Sequence, residues 1–186
     1  MQTVSWIIPA VLVITLLEGC GNPRGETDGD ETPTLITAAE SGDTRTIRSL
    51  IAAEVPLDSR DLCQWTPLMK AALNGHTEVA RALLDAGANP NLVDKGGYSA
   101  LMLAASNNHV ETLDLLLRHE ADPNQIERTN GWTALIWAAK RGHRRSVEML
   151  LEQGAIVSIR GLDGRSAADW AVERGFSGIA ESLESG

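Results

Sequence analysis

Apolar positions along most of the chain follow a repeating two-helix pattern. Leu68, Ala71 and Ala72 share one face of a helix, and the pairs Ala104-Ala105 and Ala138-Ala139 occupy the same register further on. A second helix in each unit carries Leu83-Leu84, Leu116-Leu117 and Leu150-Leu151, which the spacing sends into a core. The polar positions between these runs read as caps. Thr66, Ser99, Thr133 and Ser166 stand where a hydroxyl satisfies orphan N–H groups, and Pro67 follows at the first helical position, where its missing N–H costs nothing. Gly75 and Gly142 close the first helix in a turn that benefits from positive φ, and Asn108 is the next most tolerant residue at the matching place. Gly87, Ala88 and Asn91 finish a unit and lead into a hairpin.

The pattern is an internal repeat. WTPLMKAALNGHTEVARALLDAGANPN (Trp65 to Asn91) aligns without gaps on YSALMLAASNNHVETLDLLLRHEADPN (Tyr98 to Asn124), at an offset of 33 residues. WTALIWAAKRGHRRSVEMLLEQGAIVS (Trp132 to Ser158) follows at 34, after one inserted residue in the connecting loop. This period and the T-P-L-x-x-A-A core resemble the ankyrin repeat family from about Thr34 to the last residue. The resemblance implies an all-α solenoid over residues 35–186. It has about five stacked repeats of helix-turn-helix plus β-hairpin loops, at approximately 28–60, 61–93, 94–127, 128–160 and 161–186.

The end repeats are degenerate, as caps with one open face should be. The first keeps Leu35, Ala38-Ala39, Gly42, Ile47 and Leu50-Ile51, with Glu54 in place of the terminal glycine. The last keeps Ser166, Trp170-Ala171, Gly175 and Leu183, puts Ala168 where leucine is usual, and is expected to stop within its second helix. The family's T-P-L-H histidine is absent. Ile36, Met69, Met102, Ile136 and Asp169 fill that column, so a local Thr-His hydrogen bond is lost.

Ahead of the repeats, Trp6 to Leu17 is an uncharged apolar run of twelve residues, shorter than the roughly 20 needed to span a bilayer. It reads as an export signal over residues 1–19. It ends at Leu17-Glu18-Gly19-Cys20, which resembles the lipobox of bacterial lipoproteins and implies an acylated Cys20 as the mature N-terminus. Each buried CH₂ of an acyl chain contributes about 0.8 kcal/mol, and more than one chain gives stable anchoring. Residues 20–34 then form a lipidated N-terminus and an acidic, flexible linker. The only other cysteine is Cys63. Because the pair lies across the expected processing site, no disulfide is expected, and Cys63 reads as a small residue in a turn.

A formal net charge of -9 disfavours DNA and RNA as partners, since phosphate binding needs a basic field. His76, His109 and His143 recur in one column and invite a metal reading. Equivalent residues of stacked helices stand about 8–10 Å apart, whereas zinc-bound nitrogens sit roughly 2 Å from a shared ion. They therefore read as structural, and His119 as a lone loop residue. No nucleophile has an obvious base at the same end of its repeat, and no phosphate-binding loop is present. No catalytic residues, metal or cofactor are expected.

The resemblance places a binding groove along the hairpin tips and the exposed side of the first helices. The column before the capping hydroxyl reads Trp65, Tyr98, Trp132 and Arg165, three aromatics in a chain with 4% aromatic residues. These rings serve either as partner anchors or as packing over neighbouring hairpins; Trp137 and Trp170 favour core packing. Asn74, Asn107, Lys140 and Arg141 add first-helix positions, and Lys95 and Arg128 add hairpin tips. Lys140 to Arg145 is a basic island suited to an acidic partner. The expectation is a monomeric, non-catalytic protein-binding module, exported and lipid-anchored through Cys20 on the periplasmic side of a bacterial membrane. Alternatives are an immunity or inhibitor protein masking an exported toxin or enzyme, and a chaperone-like support for an envelope enzyme.

Overall fold

A computed structural model describes residues 34–185. The expected export segment, Cys20 and most of the expected linker lie outside the described residues. Within them ten helices form five antiparallel pairs, an all-α solenoid. The first helices are α1 (Leu35–Ser41), α3 (Pro67–Asn74), α5 (Ala100–Ser106), α7 (Ala134–Arg141) and α9 (Ala167–Glu173). The second are α2 (Thr44–Ala52), α4 (Thr77–Asp85), α6 (Val110–Arg118), α8 (Arg144–Glu152) and α10 (Ser177–Ser185). At nine residues α10 equals α2, α4, α6 and α8 in length and runs to the last described residue.

Each first helix begins where a hydroxyl accepts the N–H three residues on: Thr34 from Thr37, Thr66 from Met69, Ser99 from Met102, Thr133 from Ile136 and Ser166 from Asp169. The missing T-P-L-H histidine is partly replaced. Thr66 donates its N–H to Met69 Sδ at 3.5 Å, and Ser166 donates its own to Asp169 Oδ2 at 2.8 Å. Gly75 closes α3 at φ 70°, and Asn108 adopts φ 59° at the matching place beyond α5. Glu54 and Glu120 take φ 57° and 62° where Gly87 and Gly154 stand in other repeats, so the left-handed turn persists without glycine.

Successive first helices pack α1 on α3, α3 on α5, α5 on α7 and α7 on α9, while the second helices form a parallel row behind them. Fully buried alanines, Ala39, Ala71-Ala72, Ala104-Ala105, Ala138-Ala139 and Ala171, line the first interface and let the helices approach closely. Ile47, Leu83, Leu116 and Leu150 fill the space between the rows; Leu151 is only half-buried.

Two polar ladders tie the repeats together. Asn91 accepts from the Asp122 N–H and donates to the Glu120 carbonyl, and Asn124 does the same with Ile156 and Gly154. At the hairpins, Lys95 donates its N–H to the Cys63 carbonyl, Arg128 to Gly96 and Leu162 to Asn130. Buried Glu127 organises the hairpin that carries the extra residue, accepting the N–H groups of Thr129, Asn130 and Trp132.

Cys63 is buried in its turn as expected, but it is disulfide-bonded, which corrects the expectation of no disulfide. The expectation rests on processing at Cys20, with which the disulfide state of Cys63 does not accord. Among the described residues no helix is long and apolar enough to cross a membrane.

Candidate functional site

One side of the first helices stacks and the other stays open. On the open side lie Lys70 and Asn74 of α3, Trp137, Lys140 and Arg141 of α7, and Glu173 of α9, with Asn107 and Arg174 at the ends of α5 and α9. At the N-terminal end the charges are paired: Lys70 reaches Glu40 at 3.0 Å and lies 5.0 Å above the Trp65 ring. Asn74 turns its amide onto the Glu40 and Lys70 carbonyls, and Asn107 onto the Leu103 carbonyl and Ser106 Oγ.

The expected aromatic column is rearranged. Tyr98 meets Trp137 (centroids 6.1 Å apart), Trp137 meets Trp132 edge-on (4.8 Å) and Trp132 meets Trp170 edge-on (5.4 Å). The four rings make one cluster across the third to fifth repeats, while Trp65 packs separately beside Lys70. Trp65 and Trp132 are only 6% and 5% exposed, leaving little ring area for a partner; Tyr98 and Trp137 are half-buried and present more. The indole N–H groups of Trp132, Trp137 and Trp170 are buried without a hydrogen-bond acceptor among the described residues. Each pays a desolvation penalty that ring packing must offset.

Cations roof this cluster. The Lys140 ammonium sits 3.8 Å from the centroids of both Trp132 and Trp170. Arg165 lies 4.6 Å above Trp170, Arg174 6.0 Å from the same ring, and Arg141 5.7 Å above Trp137. Burial first, and then the neighbouring Arg174 charge, pulls the Lys140 pKa below the ordinary lysine value, although Asp163 and Glu173 act the other way. Burial likewise lowers Arg141. Tyr98 is pushed up by burial and by the Glu127 carboxylate.

The basic island divides in two. Lys140 and Arg141 end α7 on the open side, whereas Arg144 and Arg145 belong to α8 and pair with Glu148 at 2.9 and 3.6 Å. Lys95 is exposed at its hairpin tip, and the Arg128 guanidinium reaches back to the Lys95 carbonyl at 3.5 Å. Buried Glu127 did not stand out from sequence as a site residue. The extra residue in the fourth hairpin was the available signal for Glu127.

The column histidines are mortar between repeats. His76 Nε2 bonds the Glu40 carbonyl, His109 that of Leu73 and His143 that of Ser106, at 3.0–3.1 Å. His119 is not solitary: it closes α6 and lies 3.6 Å from Asp85 Oδ1 of the preceding repeat. Among the described residues no group of His, Cys, Asp or Glu is placed to hold a metal ion.

Paired helices stacked in one direction, with an open row of first-helix side chains, define a repeat scaffold whose working part is a surface and not a cavity. The family model for Ankyrin repeats (3 copies) matches residues 11–94, 35–127 and 101–185, and the chain belongs to that family. Ankyrin repeats are in general non-catalytic protein-interaction modules, and the chain is a protein-binding scaffold of that kind. No curated protein matches it.

Proposed function

We propose that this scaffold works outside the cytoplasm, tethered at a bacterial envelope through Cys20, and binds a protein partner along the open side of its first helices. The observation that carries the binding face is the continuous row from Lys70 to Arg174, where side chains not used in stacking face one way and end in a cation-roofed aromatic cluster. Within it Tyr98, Trp137, Asn74, Asn107, Lys95, Arg128, Lys140 and Arg141 offer contact surface, and the buried Trp65 and Trp132 support it from beneath.

Export is supported by the apolar run Trp6 to Leu17. The sulfur of Cys20 has two competing uses, because a thioether to lipid and a disulfide to Cys63 exclude each other. The LEGC sequence supports the thioether.

Two measurements test the proposal. A fatty-acid label should mark the wild-type protein and be lost from Cys20→Ala. Stable wild-type protein that carries no label, with its mass showing an intact intramolecular disulfide, overturns the tether and leaves export standing. Asn74→Trp with Asn107→Trp, which places neutral bulk in the row, should lower capture of an envelope partner at least about tenfold. Arg81→Ala on α4 should leave it unchanged; the reverse result moves the binding face to the second helices.

A further inference from the structure

The charges of the open row are unevenly neutralised. Lys70 has Glu40, Arg160 has Asp169 at 2.7 Å and Arg165 has Glu173 at 2.8 Å. Lys140, Arg141 and Arg174 form no ion pair with any described carboxylate, although the chain carries 25 acidic residues against 16 Lys and Arg. All three stand against the same aromatic cluster, Lys140 between two indoles and the arginines beside Trp137 and Trp170. Partial burial of like charges is costly unless a counter-charge arrives, and the indole faces supply only part of that.

We propose that Lys140, Arg141 and Arg174 form a docking place for an acidic segment of a partner protein, its carboxylates set against these cations. This rests on the open row being the binding face and names the chemistry of its C-terminal half. A nucleic acid or an anionic lipid surface fits less well. Both present extended negative charge that the rest of this acidic chain repels, whereas a short acidic peptide meets only the local positive patch.

The test uses the full-length protein and a fluorescent oligoglutamate peptide, with oligoglutamine, a single-stranded oligonucleotide and phosphatidylglycerol vesicles as comparisons. Oligoglutamate should bind with an affinity that falls as salt rises, and oligoglutamine should not bind. Arg141→Gln with Arg174→Gln should weaken binding about tenfold or more, whereas Arg144→Gln with Arg145→Gln, which removes equal charge from α8, should change it less than about twofold. Because Lys140 also supports two rings, Lys140→Arg serves as its rescue: Lys140→Gln should lose affinity and Lys140→Arg should retain it, at thermal midpoints matched to the wild type.

Equal loss from the α8 pair, or undiminished binding by the Arg141 and Arg174 variant, overturns the proposal. Tighter binding of the oligonucleotide or the vesicles, abolished by the same variants, replaces the acidic segment by that class. If Asn74→Trp with Asn107→Trp blocks a captured partner while Arg141→Gln with Arg174→Gln does not, the row stands as the binding face and its acidic chemistry fails.

Discussion

At the scale of single residues, Asp169 shows how a substituted position keeps its task. It stands in the column of the absent histidine and receives the Ser166 N–H, the Ser166 hydroxyl and the Arg160 guanidinium. The bonds from Ser166, and then Arg160, hold its carboxyl below the ordinary aspartate range. A carboxyl lowered on folding adds stability that is present above the unfolded pKa and lost as pH falls through the folded one. Asp169→Asn should therefore melt at a lower temperature than the wild type near neutral pH, and the gap should close below about pH 4. Thermal melts across that range check it; a gap that is constant with pH removes ionisation from the explanation. Burial raises Asp94 instead, so its ionisation opposes folding as pH rises through the carboxylate range. The hydroxyl caps were legible from Thr66, Ser99, Thr133 and Ser166 because a cap acts within one turn. The thioether of Met69 was not, since methionine is a weak acceptor that no capping pattern includes.

Between elements, the turn after each first helix is fitted to a ring of the next repeat. A Cβ on Gly75 would lie 2.5 Å from His109 Nδ1, one on Gly42 2.8 Å from His76, and one on Gly142 2.6 Å from Phe176. The histidine column thus continues as phenylalanine in the last repeat. Gly75→Ala should destabilise through both its φ of 70° and this overlap, the first term being about 1–2 kcal/mol. His109→Ala removes the obstacle, so the double variant should be more stable than the sum of the singles implies, by about 0.5–3 kcal/mol. Denaturant melts of the four proteins give that coupling; additivity would mean the ring yields freely. The glycine and histidine columns were both visible in the sequence at an offset of 33. Their mutual fit, and the bonds from the rings to the preceding helix, join residues 36 and 37 positions apart and leave no local trace. The aromatic cluster escaped for the same reason: Trp137 and Trp132 belong to different columns, and only the turn of α7 brings them together.

Over the whole molecule, stability is shared between neighbours in a line, and position along that line decides what a lost side chain does. Leu116 is fully buried in the third repeat with a repeat on either side, whereas Leu183 lies in the last. Leu116→Ala should cost about 2–5 kcal/mol and lower the protection of the central helices. Leu183→Ala should cost less and raise hydrogen exchange mainly in α9 and α10. Exchange rising uniformly along the chain in both variants would contradict nearest-neighbour behaviour.

The tryptophan cluster also has an optical consequence. Three of the five tryptophans of the chain lie in it, each within a few ångströms of Lys140 or Arg141. The larger share of the tryptophan absorption therefore originates in the C-terminal half of the stack, from rings close enough to couple their transitions. An unlabelled solution carries its own gauge of what happens at that end, while Trp65 reports separately from the second repeat.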